Sequence, residues 1–191
     1  MGMIKYYHKE WKPTLYNIFT PLMKAIGGLG IKPNHLTAMQ FPFSAAMCVS
    51  LIYGKVSIAI LCMVFALMLD GMDGLLARST NQETRRGHVF DKSADIFGIV
   101  MMLVGIAIGF PGSLGLCVSL GVINIMLYVT NEIKEPFFYT AARDAGVIGL
   151  LGFTLMGNIM FLNAWLFISI SIGTFLFLKK SMVLLGDLGL R

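Results

Sequence analysis

Four carboxylates stand close together in a chain that is mostly apolar. The stretch DGMDGLLARSTNQETRRGHVFDKSAD holds Asp70, Asp73, Asp91 and Asp95, four of only ten acidic residues among 191. Asp70, Asp73, Gly74 and Ala77 fall at i, i+3, i+4 and i+7, the spacing of one helix face. Gly87, Asp91 and Asp95 fall at i, i+4 and i+8 and share a face in the same way. The polar segment STNQETRR between them makes the two faces the arms of a hairpin, so the acids of one arm can oppose those of the other.

Carboxylates gathered at a membrane edge repel one another strongly and demand cations. An all-oxygen donor set without His or Cys selects magnesium or manganese over zinc. Four negative charges balance two divalent ions, so a two-metal centre with ligands Asp70, Asp73, Asp91 and Asp95 is the expectation, and such centres serve phosphoryl transfer. Gly74 and Ala77 leave room for a flat group against the helix backbone, and Gly87 clears space opposite. Arg78 places a guanidinium next along, matched to phosphate oxygens. Metal ligands, phosphate clamp and small-residue slot together describe a site for a nucleotide diphosphate.

The elements that position these residues are read from charge and hydropathy. The chain is 57% hydrophobic and 13% charged, with a mean hydropathy of +0.77. A soluble domain is nearer half apolar and a quarter charged, so the composition is that of a polytopic membrane protein. No charge occurs between Lys32 and Lys55, and a second apolar run, Val56 to Leu69, leads into the acidic motif. The uncharged runs Ile96–Asn131 and Ala145–Leu178 are each long enough for two spans of roughly 20 residues. FPGS at 110–113 breaks the first of these, and GN at 157–158 or LNA at 162–164 breaks the second. Six spans result.

Basic residues test that count. With six spans, Lys5, Lys9, Lys12, Lys24, Lys32, Arg78, Arg85, Arg86, Lys92, Lys134, Arg143, Lys179, Lys180 and Arg191 all fall on one side, and Lys55 alone on the other. The positive-inside rule then places both termini and the acidic motif on the cytoplasmic face of the cytoplasmic membrane. The net charge of +5 is accounted for by this orientation, with no nucleic-acid partner implied. The expected fold is all-α: an N-terminal interfacial amphipathic segment over residues 1–31, then a six-span domain over 32–191. The N-terminus does not read as a signal peptide, and Tyr6 disfavours myristoylation after Met1-Gly2. Cys48, Cys62 and Cys117 lie in apolar runs and read as small buried hydrophobes without disulfides.

The stretch from Asp70 to Asp95 matches D-x2-D-G-x2-A-R-x8-G-x3-D-x3-D without departure, through Asp70, Asp73, Gly74, Ala77, Arg78, Gly87, Asp91 and Asp95. This resembles the signature of the CDP-alcohol phosphotransferases. GIKPNHLT before the first span is similar to the family's Pro-Asn-x-x-Thr entry to its first helix. The resemblance implies a phospholipid-biosynthetic transferase, homodimeric, that moves a phosphatidyl-type group from a CDP-linked lipid to a small hydroxyl acceptor and releases CMP. Carried over by position, Asp70, Asp73 and Asp91 would be the principal metal ligands, and Asp95 a ligand, the general base, or both, with Asp91 beside it in the catalytic pair. Gly74, Ala77, Arg78, Gly87 and Asp70 would line the cytidine and phosphate side.

Family acceptors include inositol phosphate, glycerol phosphate, serine and choline. Lys134, Arg143, Arg85, Arg86, Lys179 and Lys180 lie on the motif's side and lean the expectation toward a polyol or polyol phosphate, while Glu132 and Glu135 dilute that charge and keep serine or another amino alcohol as the alternative. The donor tail, diacylglycerol or archaeol, is not readable. Two other classes use similar residues. An ion-coupled transporter would carry its acids near the bilayer midplane rather than at one face. A membrane prenyltransferase would lack the Gly-x-x-Ala-Arg element.

Overall fold

The computed structural model describes the backbone of residues 19–133 and 141–187, and the side chains of 19–127, 149–179, 181 and 182. Among these residues the chain is all-helical. A helical segment over 19–28 (α1) precedes α2 (Pro33–Ile52), α3 (Val56–Ser79), α4 (Arg85–Gly109), a 3-10 turn (Pro111–Ser113), α5 (Leu114–Ile133), α6 (Ala141–Met156) and α7 (Ile159–Asp187). The remainder of the expected interfacial segment, residues 1–18, lies outside the described residues.

Among the described residues, four helices are long and apolar enough to cross a bilayer: α2, α3, α4 and Ile159–Lys179 of α7. The apolar stretch Pro111–Leu127 is shorter, and α6 has 16 residues. The chain is an integral membrane protein. Its helices keep apolar side chains on their outer surface, as Ile58, Leu61, Phe65 and Met68 of α3 do at i, i+3, i+7 and i+10, a stripe that suits lipid.

The turns explain where the helices stop. α2 ends in a left-handed Gly54 (φ 68°), with Lys55 N–H donating to Ser50 O at 2.8 Å and Gly54 N–H to Leu51 O at 3.0 Å. This paired pattern satisfies carbonyls that the helix end would leave open. The α4–α5 break falls at Pro111, as the sequence predicts. Of the two candidate breaks further on, the chain uses Gly157–Asn158: Gly157 is left-handed (φ 63°), and the Asn158 carboxamide accepts from Met160 N–H at 2.8 Å, capping α7. Residues 162–164 lie inside α7, where Asn163 instead accepts a 2.5 Å hydrogen bond from the buried Ser113 hydroxyl.

The chain divides into two compact units, Met1–Phe43 with Val64–Ile96, and Ser44–Met63 with Phe97–Arg191. In the first, Gly27 of α1 packs close to Thr80 and Leu76, Phe41 of α2 meets Phe90 of α4 (centroids 5.7 Å apart), and Phe43 of α2 stacks on Phe65 of α3 (5.5 Å). Four helices are thereby held together around the acidic motif. In the second, α7 packs on both α5 and α6. There Gly109 of α4 meets the backbone of Leu51 so closely that no side chain fits at that position. The three cysteines are free, as expected.

Candidate active site

All of the acidic motif falls in the first unit. Asp70, Asp73, Gly74, Ala77 and Arg78 lie in the last three turns of α3, and Gly87, Asp91 and Asp95 in the first three of α4. The connection is shorter than the polar segment suggested, five residues over 80–84, because Ser79 still belongs to α3 and Arg85 and Arg86 already belong to α4. Two local devices make so tight a hairpin. Asn81 adopts a left-handed conformation (φ 53°), with Gln82 N–H donating to Ala77 O at 2.8 Å and Asn81 N–H to Arg78 O at 3.4 Å, a C-terminal cap in which asparagine takes the usual place of glycine. Three residues later the Thr84 hydroxyl accepts from Gly87 N–H at 3.0 Å, the N-cap of α4.

The hairpin brings three of the four predicted acids together. One carboxylate oxygen each of Asp70, Asp73 and Asp91 lies within 4.8 Å of the others. Asp73 is buried and the other two are half-buried. Opposite ligands on one octahedral magnesium are about 4.2 Å apart, and paired cations sit roughly 3.5–4 Å apart, so a group of this size fits hard divalent cations. The donor set, three carboxylates without nitrogen or sulfur, fits the same ions. Asp95 stands outside the three-oxygen group, although it and Asp70 are near enough to Asp73 to act on its charge.

Asp73 is anchored from α2. Its Oδ2 accepts from the Thr37 hydroxyl at 2.5 Å and from the Gln40 amide at 3.2 Å, both on α2 and both buried. The Thr37 hydroxyl has a second acceptor in range, Pro33 O at 3.3 Å, but its single proton goes to the nearer, charged oxygen.

A cavity of about 360 Å3 opens beside these acids. Asp73, Gly74, Ala77, Arg78, Gly87 and Asp91 line it, six of the eight residues of the motif. The Arg78 guanidinium stands over Gly74, 3.5 Å from where a Cβ would be, which is ordinary contact, so packing within the chain does not require glycine there. Gly87 is more constrained: a Cβ would come within 3.0 Å of Thr84 Oγ1 and 3.3 Å of Asn34 Oδ1.

The cavity has walls beyond the acidic motif, and Pro33, Asn34 and Thr37 among them are the Pro-Asn-x-x-Thr of GIKPNHLT. Pro33, Asn34 and Thr37 come from the start of α2, and Gln82, Glu83, Thr84 and His88 from the hairpin tip. Thr37 was already part of the Pro-Asn-x-x-Thr resemblance, and the signal for Gln40 was available, since a polar residue inside an apolar span is seldom idle. The hairpin-tip residues carried no such signal.

The basic residues considered for the acceptor are less informative. Arg85 and Arg86 are exposed and do not line the cavity. Lys179 is exposed in the second unit. Lys134 and Glu135 lie outside the described residues, as do the side chains of Glu132, Arg143 and Lys180.

Known proteins share segments with this chain. A segment of 86 residues is 30% identical to an archaetidylinositol phosphate synthase of Pyrococcus horikoshii, covering 45% of this chain and 46% of that protein, so the match spans less than half of the relative's length. An uncharacterized protein of Aquifex aeolicus is 25% identical over 144 residues, 75% of this chain and 72% of that one. Residues 31–177, which contain every motif residue and both ends of the cavity-lining set, match the CDP-alcohol phosphatidyltransferase family, and the chain belongs to that family.

Proposed function

We propose that the protein transfers a phosphatidyl-type group, diacylglycerol or archaeol phosphate, from a CDP-linked lipid to a polyol or polyol phosphate and releases CMP. The observation that carries this is the convergence of Asp70, Asp73 and Asp91 from two helices to within 4.8 Å, beside a cavity that Gly74, Ala77, Arg78 and Gly87 also line. In this reading the three carboxylates hold magnesium or manganese, which when bound neutralises the diphosphate and the leaving CMP. Arg78 pairs with phosphate oxygens. Gly74 and Ala77 leave the cytidine its space. The acceptor hydroxyl forms the new P–O bond as the P–O bond to CMP breaks, and its proton passes to a carboxylate, Asp95 being the candidate because it stands outside the metal-ligand group.

An inositol phosphate or glycerol phosphate acceptor is favoured. The support is the segment shared with a synthase whose name specifies archaetidylinositol phosphate, together with the basic balance of the motif's side of the chain. Serine or another amino alcohol is the second reading, favoured by Glu132 and Glu135. The topology belongs to the same proposal: an interfacial segment over 1–31, a domain over 32–191 in which α2 to α7 make six spans, both termini and the site at the cytoplasmic face, and a homodimeric assembly as in the resembled family. Its support is the alternation of basic clusters along the chain.

The test is CMP release from CDP-diacylglycerol and CDP-archaeol by purified protein with a panel of acceptors. Release that depends on inositol phosphate or glycerol phosphate is the expected result. Release with serine alone selects the second reading, and no CMP release with any acceptor, in the presence of magnesium or manganese, overturns the transferase assignment.

A further inference from the structure

The α2 side of the site carries a feature that the transfer chemistry does not itself require. Thr37 and Gln40 are each 2% exposed, and both donate to a single atom, Asp73 Oδ2. A carboxylate oxygen has two lone pairs in the carboxylate plane. Two donors on Oδ2 occupy both, so Oδ1 is the atom that Thr37 and Gln40 leave to a cation. Asp73 is itself 5% exposed and cannot easily rotate to exchange its oxygens, because rotation would strip two buried donors of their acceptor.

We infer that Thr37 and Gln40 are positioning residues that restrict Asp73 to one-oxygen coordination and thereby bias the site toward small octahedral cations and against calcium. The inference rests on the metal-dependent reading proposed above. Magnesium and manganese take six oxygens at short distance with near-ideal octahedral angles, and a fixed single oxygen serves that geometry. Calcium takes 6–8 oxygens at 2.3–2.6 Å and readily uses both oxygens of one carboxylate. An Asp73 locked through Oδ2 denies calcium that second oxygen. Gln40 suits the purpose because its amide is neutral: it fixes the carboxylate without cancelling the charge the cation needs, as a lysine at that position would.

The measurement is Mn2+ binding to the detergent-solubilised full chain, followed by the EPR signal of free Mn2+, with Ca2+ as competitor. Gln40→Leu and Thr37→Val each remove one donor and place an apolar side chain in an already apolar helix. Thr37→Ser keeps the hydroxyl. Losing such a supporting donor typically weakens metal binding roughly 10–100-fold. The expected result is a loss of that size for Gln40→Leu and Thr37→Val, a smaller loss of Ca2+ affinity so that the Mn2+ preference narrows, and near wild-type behaviour for Thr37→Ser. A merely structural role for the two residues would not change the ratio between cations. Variants that stay folded and bind Mn2+ and Ca2+ as the wild type does overturn the inference while leaving the transferase reading intact. Should Gln40→Leu not fold, the Thr37→Val and Thr37→Ser pair decides alone. Wild-type protein that binds no Mn2+ overturns the metal reading, and this inference with it.

Discussion

Replacing Asp73 by Asn separates the two roles the structure gives that side chain. In the absence of metal, Asp70, Asp73 and Asp91 crowd one oxygen each within 4.8 Å. At that distance, and at the effective dielectric near 20 that suits partly buried pairs, each like-charge pair costs about 3 kcal/mol. Asp73→Asn removes two of the three pairs. The offsetting loss is modest, because the Asn carbonyl still accepts from Thr37 and Gln40. Those two hydrogen bonds change from charge-assisted to neutral, at about 1 kcal/mol each. The metal-free variant is therefore expected to be at least as stable as wild type, and more stable by a few kcal/mol if the crowding is not relaxed by side-chain movement. With metal the order reverses. Wild type gains about 2.7 kcal/mol at a hundredfold excess of ligand over Kd, whereas the variant, lacking a ligand, gains far less. Thermal unfolding of both proteins in detergent, in chelator and across a magnesium series, reads both terms. An Asp73→Asn protein that unfolds below wild type in chelator would refute the electrostatic argument. One that is stabilised by magnesium as strongly as wild type would refute the ligand assignment.

Further expectations concern neighbouring residues. Ala77→Leu fills the cavity wall between Gly74 and Arg78 and should abolish CDP protection against thermal unfolding while leaving the metal-free midpoint little changed; a normal CDP response in the folded variant would show that Ala77 only packs helices. Asp95→Asn should lower turnover by at least about a hundredfold, the low end for general-base catalysis, with Mn2+ affinity near wild type because Asp95 stands outside the three-oxygen group; near-normal turnover would end the base assignment. For topology, single cysteines at Lys55 and Gly112, both exposed, should react with an impermeant reagent only from outside the cell, and cytoplasmic labelling of either would sink the six-span arrangement. Ser113 is unsuitable as a probe position, since it is fully buried and bonded to Asn163.

What the amino-acid sequence determines here is what repeats along one helix. Asp70 and Asp73 share a face with Gly74 and Ala77, and Asp91 shares one with Gly87, because helical spacing is set by the backbone and needs no neighbour. Helix ends were legible on the same local grounds, from Pro111 and from the charges that bound the apolar runs. What lies across a packing interface was not. That Asp73, rather than Asp70 or Asp91, is clamped by Thr37 and Gln40 follows from how α2 packs beside α3, and no spacing within either helix encodes it. That Asp95 leaves the carboxylate group follows from one turn of helix, roughly 6 Å of rise, carrying it past the acids of α3. The walls supplied by Glu83 and His88 depend on a hairpin closed to five residues by an asparagine in the left-handed region and a threonine cap, devices whose residue types are common in loops and whose effect appears only once both helices are in place. Local backbone geometry decides which residues line up on one helix, and side-chain packing between helices decides which of those lines meet.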